Sequence, residues 1–587
     1  MPKRLLPAAA SLALLLCLSA SAARAQTARA GRVPELSYTL EPVFGNDALR
    51  FRVELSFKGD AGGTTRLVLP DRWGGQQNLY RAVSNLRVSP PDARLSDTAE
   101  PHVKTVAHGP NATLRVRYEL AQDFAGDPQN ETRYRPALHK DYFHWIGHGV
   151  WVRPGWDEQT AVSVSLRWEG LPKSWALASS FGVNERRQRF RATVEEFVHA
   201  VYVGGDFRLM SLRVGGKAVN AAVRGAWQFS DEAFADMVRR VVAVERAFWR
   251  DHDVPFYLVT LIPLEAPPNV TNTGGTGLTN SFALFSSRNA ELGDFKWLLA
   301  HEYFHNWNSP KLGRLKEPES QLYWFSEGFT DFYAYLLALR GGLITLDEYI
   351  GRYNALMREY YLLPVRAETN ERVVKDFWND DDVRKLPYRR GLLLATNWNA
   401  LIRAASGGRH SLDDVMLAMF DAARGGRPEL TAEVIGEHVR RLAGRDVTAD
   451  IKRHVEAGEL IAPAADAFGP HVELEVVEVA PFELGLDLET LRRDKIIAGV
   501  KEDSAAHRAG LRDGQVVVRR LPIHLGDATK PVEITIKEGA GERTIKFYPA
   551  SANTVGVPRY KLRPGSGDAG RAETLRLLGV AAQEGKR

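Results

Sequence analysis

Residues 301–305 read His-Glu-Tyr-Phe-His, an HExxH motif, and Glu327 follows within the segment Trp-Phe-Ser-Glu-Gly-Phe-Thr-Asp. Two histidines four residues apart lie on one face of an α-helix, where His301 and His305 can bind one metal ion. The intervening Glu302 then points toward the coordination position that stays open for water. The motif therefore predicts a helical catalytic unit that hydrolyses peptide bonds with the help of zinc.

The chain around the motif has a mainly helical pattern. Apolar residues recur at helical spacing over residues 226–465, which form the predicted catalytic domain. Gly, Asn and Thr cluster in one stretch that interrupts this pattern and is predicted to be a loop. The predicted elements are helices over residues 231–250, 294–308 and 324–339, a strand over 256–262 and the loop over 269–280.

Glu327 supplies the third protein ligand that a catalytic zinc site needs. Its predicted helix packs beside the motif helix, so that its carboxylate completes a set with His301 and His305. Asp331 lies one turn after Glu327 and is predicted to accept a hydrogen bond from the far nitrogen of a ligating histidine. One zinc ion is expected, although cobalt or manganese could replace it. A buried structural cluster of histidine and glutamate is the alternative.

Glu302 and Tyr388 are the predicted catalytic residues. Zinc lowers the pKa of its water to about 7, and Glu302, as general base, takes the proton and passes it to the leaving amine. The tetrahedral oxyanion needs a further donor, and Tyr388 in Leu-Pro-Tyr-Arg-Arg-Gly-Leu-Leu is the candidate. Judged from its neighbours alone, a packing role for Tyr388 is the favoured interpretation.

The array His-Glu-Tyr-Phe-His-Asn-Trp-Asn, with Trp-Phe-Ser-Glu-Gly-Phe-Thr-Asp-Phe-Tyr after it, resembles the glycyl aminopeptidase family of zinc metallopeptidases, relatives of aminopeptidase N. The resemblance covers most of the mature chain. It implies a β-rich N-terminal domain, a thermolysin-like catalytic domain and a C-terminal PDZ-like domain. It implies zinc binding by His301, His305 and Glu327. It also implies that Glu302 is the catalytic acid and base and that Tyr388, in a Tyr-x-x-Gly element, stabilises the oxyanion.

Residues 274–281, Gly-Gly-Thr-Gly-Leu-Thr-Asn-Ser, depart from the family pattern. Family members carry a Gly-Gly-Leu-Glu-His-like stretch before an Asn-Ser on the strand that edges the active site, and its glutamate is suited to bind a free amino group. This segment has no acidic residue, so hydrolysis is expected to survive while strict aminopeptidase specificity is in question. Gly275, Gly277 and Asn280 are the predicted substrate-binding residues, because glycine allows a peptide backbone to approach closely.

Residues 26–225 are predicted to form an all-β N-terminal domain. The segments 49–57, 112–120 and 161–168 alternate apolar and polar residues, and clusters of Gly, Pro, Asn and Asp separate the strand-like segments. This pattern is typical of antiparallel strands with one solvated face. The expected role of the domain is a platform that packs beside the catalytic unit and flanks the substrate.

The chain after residue 465 is again rich in strands. Glu-Leu-Gly-Leu at 483–486 and the segment 503–514 resemble a PDZ domain, predicted as an α+β module over residues 466–555. Because the first element is similar to a carboxylate-binding loop, a peptide C-terminus is an expected partner, and a role in packing alone is equally open. Residues 556–587 are predicted to be a loosely held tail.

Residues 1–25 combine basic residues, an apolar run and Ala-Arg-Ala, which is typical of a secretory signal peptide cleaved after about Ala25. The 77 basic and 72 acidic residues give a formal charge of +5, and loss of three basic residues with the signal lowers it to about +2. Neither nucleic acid nor a membrane span is expected. The single cysteine, Cys17, lies in the signal, so a periplasmic or secreted protein without disulfides is predicted.

The leading prediction is an exported zinc metallopeptidase, an aminopeptidase that prefers small N-terminal residues of peptide or protein substrates. One alternative is a zinc endopeptidase that does not recognise a free amine. The other is a PDZ-type peptide-binding protein with vestigial catalysis. The intact Glu302 argues against this second alternative.

Overall fold

The computed structural model describes residues 33–45, 48–254, 256–267, 270–521 and 523–580. The predicted signal peptide, residues 1–25, lies outside the described residues. Within the described ranges, no helix is long and apolar enough to cross a membrane.

The N-terminal part of the chain consists almost entirely of strands in three sheets. These strands pair in the orders β14-β11-β1-β2-β7-β4, β10-β3-β6-β5 and β13-β12-β15-β9-β8. In chain order they are β1 (Glu35–Phe44), β2 (Leu49–Lys58), β3 (Thr64–Val68), β4 (Val83–Ser89), β5 (Arg94–Asp97), β6 (Val103–Ala107), β7 (Thr113–Ala121), β8 (Ala137–His139), β9 (Tyr142–Ile146), β10 (Arg153–Pro154), β11 (Ala161–Trp168), β12 (Ala176–Ser179), β13 (Gly182–Val183), β14 (Arg187–Thr193) and, after the short helix α1 (Val194–Val198), β15 (Val201–Gly205).

The alternating segments form the strands predicted from them. In β2, Leu49, Phe51 and Val53 are buried, whereas Arg50 and Arg52 are exposed. Successive side chains of a strand point to opposite faces of its sheet, so this alternation buries one face against the core and leaves the other to solvent. The sheet-rich N-terminal domain is therefore confirmed.

Helices dominate the next part of the chain, around a five-stranded sheet with the order β16-β17-β18-β20-β19. The strands are β16 (Arg208–Val214), β17 (Lys217–Val223), β18 (Phe256–Leu264), β19 (Thr273–Leu278) and β20 (Ser281–Ser287), with a short pair β21 (Arg314–Leu315) and β22 (Glu429–Leu430) further on. The helices are α2 (Asp231–Trp249), α3 (Gly293–Phe304), α4 (Tyr323–Ser326), α5 (Gly328–Arg340), α6 (Leu346–Leu362), α7 (Asn370–Asp376), α8 (Asp381–Ser406), α9 (Leu412–Ala423), α10 (Ala432–Ala443) and α11 (Thr448–Asp450).

Two expectations about this sheet are corrected by the structure. Strands β16 and β17 were expected in the N-terminal domain, but β17 pairs with β18, β16 pairs with β17, and both share the core of the helices. Alternation identifies a strand but not the sheet it joins. The predicted loop over residues 269–280 contains β19, which pairs along its whole length with β20. Pairing with a buried neighbour stabilises this glycine-rich strand against its low intrinsic β-propensity.

The helices around the motif pack closely. Helix α3 buries Leu299, Tyr303 and Phe304 in the core. Helices α5 and α8 cross at Gly328 and Gly391, where a Cβ on Gly328 would lie 2.4 Å from the Cα of Gly391. The absence of both side chains lets the two backbones meet, which brings α8 next to the end of α4.

The C-terminal part of the chain divides into two structural pieces. Strand β23 pairs with β27 alone, and Tyr560 of β27 is buried in the core of the catalytic helices. A separate small core spans residues 484–547, around the sheet β24-β25-β26. The elements are β23 (Val472–Val479), α12 (Leu488–Asp494), α13 (Ala505–Arg508), β24 (Val517–Arg520), β25 (Val532–Glu538), β26 (Gly541–Phe547), β27 (Val555–Leu562) and α14 (Gly567–Leu577).

The expected tail after residue 555 is not loose in its described part. It forms β27 and α14, and Arg340 Nε donates a hydrogen bond of 2.8 Å to the carbonyl oxygen of Leu578. The Gly and Pro content that suggested a tail marks the turns between these elements instead. Residues 581–587 lie outside the described residues.

Candidate active site

The three side chains predicted to bind metal lie together. His301 Nε2 is 3.1 Å from His305 Nε2 and 3.2 Å from Glu327 Oε2. His305 Nε2 is 3.4 Å from the same carboxylate oxygen. The ligand atoms of all three lie within 4.8 Å of one another, and in the described part of the chain this is the one group of His, Cys, Asp or Glu side chains so arranged. The helical spacing of the motif thus produces the predicted convergence.

Glu327 reaches this group from a break between two helices. The sequence predicts one helix over residues 324–339, but α4 ends at Ser326 and α5 begins at Gly328. Glu327 lies between them, and its amide still donates to the carbonyl of Tyr323 at 2.9 Å. The close crossing of α5 and α8 at Gly328 lies directly beside this junction.

The Nδ1 atoms of both histidines, which point away from the shared group, lie within hydrogen-bond distance of oxygen atoms. His305 Nδ1 lies 2.7 Å from the carbonyl oxygen of Asn308, and His301 Nδ1 lies 2.9 Å from Asp331 Oδ1. A carbonyl oxygen can only accept, so His305 Nδ1 carries the proton and Nε2 presents its lone pair. Two such nitrogens facing a carboxylate repel one another unless a cation lies between them. The donor set therefore fits zinc, which binds imidazole nitrogen and carboxylate oxygen.

A second layer of contacts fixes the ligands. Asp331 also accepts a hydrogen bond of 3.0 Å from Arg389 Nη1, and Arg389 Nε donates to Glu359 at 2.7 Å. The Asn308 side chain is buried and donates to Thr330 Oγ1 at 3.0 Å. Asp331 lies where the sequence predicts it. Arg389, Glu359 and Asn308 were not predicted, because no spacing rule connects them to the motif.

Glu302 lies in the cavity wall beside the ligands. The amide of Gly277 donates a hydrogen bond of 3.1 Å to Glu302 Oε2. Burial raises the pKa of Glu302 above its ordinary value, and the hydrogen bond from the Gly277 amide acts in the opposite direction. A carboxylate whose pKa is shifted toward neutrality is suited to accept a proton and release it again.

Tyr388 projects from the second turn of α8 toward the motif. Its ring stacks near His301, with ring centroids 5.9 Å apart and an interplanar angle of 25°. Burial, followed by the negative charge of Glu327, raises the pKa of Tyr388 well above its ordinary value. The hydroxyl therefore stays protonated at neutral pH and is available as a donor.

A cavity of about 740 Å³ opens in front of these groups. A second cavity of about 570 Å³ adjoins it, and the two share His301, Glu302 and Tyr388. The cleft therefore extends to both sides of the predicted catalytic residues. The larger cavity is lined by Glu195, Glu196, His199, Tyr257, Thr276, Gly277, Leu278, Thr279, Asn280, Ser281, His301, Glu302, His305, Asn306, Pro310, Glu327, Trp378 and Tyr388.

Two of the three predicted substrate-binding residues reach the larger cavity. Gly277 and Asn280 line it, whereas Gly275 does not. A Cβ on Gly275 would lie 2.3 Å from the ring of Phe282, so the absence of a side chain there serves packing. Its carbonyl oxygen accepts a hydrogen bond of 2.8 Å from Tyr134 of the N-terminal domain.

The comparisons with known proteins agree with this geometry. Residues 294–380 match the model of the M61 glycyl aminopeptidase family. The match contains the two motif histidines, Glu302 and Glu327, and it confirms the predicted resemblance to this family over that segment and the enzyme class, a zinc metallopeptidase. No curated protein matches the chain.

A solved structure shares the fold. An aminopeptidase N family protein from Idiomarina loihiensis is similar over 93% of this chain and 100% of its own, with 15% sequence identity and a TM-score of 0.69. An M1 zinc metallopeptidase from Deinococcus radiodurans is similar over 74% of this chain and 97% of its own, with 15% identity and a TM-score of 0.46.

Proposed function

We propose that this protein is an exported aminopeptidase in which His301, His305 and Glu327 hold one zinc ion, with Glu302 as general base and Tyr388 as donor to the oxyanion. The observation that carries the proposal is the convergence of the three ligand atoms beside Glu302 in the wall of one cavity. A preference for small N-terminal residues rests on the description of the matching family, glycyl aminopeptidases.

Each residue of the site has its own role in the proposed hydrolysis. Zinc held by this set would polarise the scissile carbonyl and lower the pKa of water. Glu302 removes the proton from the attacking water and delivers it to the leaving nitrogen. Tyr388 donates a hydrogen bond to the carbonyl oxygen as negative charge develops on it. Asp331 and the Asn308 carbonyl hold the two imidazole rings in the orientation that directs Nε2 at the metal.

A Glu302→Gln variant tests the proposal. The wild type with stoichiometric zinc should release the first residue of an unblocked peptide, as read by mass spectrometry. Loss of the general base should lower kcat by about 10²- to 10⁴-fold while the zinc content stays the same. Glu291→Gln, an exposed position shortly before α3, is the matched control and should keep full activity. Unchanged turnover in Glu302→Gln, with zinc still bound, contradicts the assigned role.

We propose export on the basis of residues 1–25, with cleavage after about Ala25. N-terminal sequencing of the protein from the periplasm or culture medium tests it. A mature chain beginning near Gln26 is expected, and recovery of the intact leader from the cytoplasm contradicts it.

For the C-terminal unit we propose a PDZ-like module, with its core at residues 484–547, that captures a peptide C-terminus. Its separate core, its three-stranded sheet and the loop at residues 483–486 support this. Binding of a peptide with a free carboxylate, and not of its amidated form, is the expected result. Equal binding of both forms, or of neither, favours a packing role.

A further inference from the structure

The two cavities of the cleft differ in charge. The described residues that line the larger cavity include four carboxylates and neither Lys nor Arg. The adjoining cavity is lined by two guanidinium groups, those of Arg352 and Arg389. Both cavities contain His301, Glu302 and Tyr388, so a peptide cleaved at these residues has its two parts on opposite sides of them. An anionic part is repelled from the larger cavity and can be attracted into the adjoining one.

Most charges of the adjoining cavity already have partners. Asp331 lies between His301 Nδ1, 2.9 Å from its Oδ1, and Arg389 Nη1, 3.0 Å from its Oδ2. Arg389 Nε also donates to Glu359 at 2.7 Å. Asp294 Oδ2 accepts a hydrogen bond of 2.8 Å from a backbone amide just before α3. Arg389 is thus neutralised by two carboxylates and has little charge left for a ligand.

Arg352 of α6 is the exception. It forms no ion pair with a described residue: its Nη2 lies 3.4 Å from the Tyr335 hydroxyl, and its buried Nε has no partner. Its Cζ lies 5.9 Å from the ring centroid of Trp297 and 5.5 Å from that of Tyr335. Such cation–π contacts hold a guanidinium in place without neutralising its charge. The adjoining cavity therefore has one fixed positive charge that no carboxylate of the described chain compensates.

We propose that Arg352 binds a carboxylate of the substrate in the adjoining cavity. A planar guanidinium suits a carboxylate, because it can donate two parallel hydrogen bonds to it. In an aminopeptidase the residue before the cleaved bond is the first one, and a small side chain there has no carboxylate. The carboxylate must then belong to the leaving part, either as the C-terminus of a short peptide or as an Asp or Glu side chain.

This inference rests on the proposed peptidase function and adds a substrate class to it. The preferred substrates are peptides that carry a negative charge at one fixed distance after the cleaved bond. Arg352 is a specificity residue in this role, since it contacts neither the three proposed metal ligands nor Glu302 in the contacts that hold it.

The test measures kcat/KM on unblocked peptides that begin with Gly, continue with Ala and increase in length from the dipeptide. Each is compared as the free C-terminal acid and as the C-terminal amide. At the length that reaches Arg352, the wild type should prefer the acid by about tenfold to a hundredfold, chiefly through KM, because a charge-assisted hydrogen bond forms. Amidated peptides with Glu or Gln at successive positions form the second arm, and a preference for Glu there assigns the carboxylate to a side chain.

Arg352→Gln should abolish the preference for the charged peptide while zinc content and cleavage of the uncharged peptide stay the same. Arg352→Lys keeps the charge but not the planar donor pair, so it should keep a weaker preference. Arg358→Gln is the matched control, because Arg358 lies on the same helix and lines neither cavity, and it should behave as wild type. Melting temperatures check that the variants fold.

An undiminished preference in either Arg352 variant overturns the inference. Wild type that cleaves the charged and uncharged member of every pair equally well also overturns it, whatever the variants do, yet leaves a zinc peptidase. Zinc-loaded wild type that cleaves none of the peptides instead refutes the proposed function itself.

Discussion

Gly391 lies so close to Trp324 that a Cβ at position 391 would stand 1.7 Å from the Trp324 carbonyl oxygen. Gly391 is one turn after Tyr388 on α8, and Trp324 lies three residues before Glu327. The contact therefore sets the distance between the proposed oxyanion donor and the proposed third metal ligand.

Gly391→Ala should force these two segments apart. Overpacking of a close backbone contact should cost about 3 kcal/mol or more of unfolding free energy and reduce activity and zinc content together. Thermal unfolding measures the loss of stability, and metal analysis measures the zinc content. Gly351→Ala is the control, since a Cβ there meets nothing within 4 Å. It lies in α6 and should be stabilising by about 0.5–1 kcal/mol. Equal stability of the two variants contradicts the packing argument.

Tyr388→Phe should retain zinc and substrate binding but lose turnover. Removing one donor to a developing oxyanion lowers kcat by about 10²- to 10³-fold, with little effect on KM. Steady-state kinetics on the free peptide measures this split. Tyr335→Phe, which lines the adjoining cavity, serves as the control for loss of a buried hydroxyl. A Tyr388→Phe variant with wild-type kcat leaves Tyr388 a packing role only.

Asp331→Asn should weaken zinc binding without removing a ligand. Asp331 Oδ1 lies 2.9 Å from His301 Nδ1, and loss of its charge lowers the basicity of that imidazole. Such second-layer substitutions lower metal affinity by about 10- to 100-fold. Competition with a chelator measures the affinity. Glu359→Gln is the control, because Glu359 contacts Arg389 and not the histidine, and it should bind zinc nearly as tightly as wild type. Equal affinities in both variants would exclude an orienting role for Asp331.

Acid should destabilise the fold through His144. This side chain is 1% exposed, and burial lowers its pKa to about 3. The pKa of His144 in the folded protein lies below its value of about 6.5 in the unfolded chain. On acidification the unfolded chain therefore binds a proton that the folded chain does not yet bind. The contribution of neutral His144 to stability is present above pH 6.5 and falls by up to about 1.4 kcal/mol per pH unit between pH 6.5 and 3.

Denaturant unfolding between pH 7 and 4 measures this slope. His144→Gln has no titrating ring, so its unfolding free energy should fall less steeply with acid than that of the wild type. Because all other titrating groups are common to both proteins, the difference reports His144 alone. If the unfolding free energies of the wild type and His144→Gln fell equally with acid, protonation of His144 would not destabilise the fold.

The convergence of the proposed metal ligands was predictable because their geometry is mostly local. The spacing of His301 and His305 within one helix brings both rings to one point, whatever the rest of the chain does. The position of Glu327 depends on how two helices pack, and that of Asp331 follows from Glu327 at helical spacing. Tyr388 was predicted only through the family resemblance, because no local rule relates α8 to α3.

Strand β19 forms although its own sequence does not favour a strand. Its glycines have low β-propensity and suggested a loop, but pairing with β20 outweighs that preference. Likewise β16 and β17 show a strand pattern that does not reveal their sheet. Register and partner choice depend on contacts between distant segments, which periodicity does not encode.

The sequence by itself determined that His301, Glu302 and His305 lie close together, because helical spacing brings the residues of a five-residue motif into one region of space. Only the tertiary structure decided what surrounds them. His199 and Glu195 reach the cavity from another domain, about 100 residues earlier in the chain. Gly328 and Gly391 set the distance between helices by lacking side chains. Such contacts depend on how whole sheets and helices pack, since neither spacing nor composition records which surfaces meet.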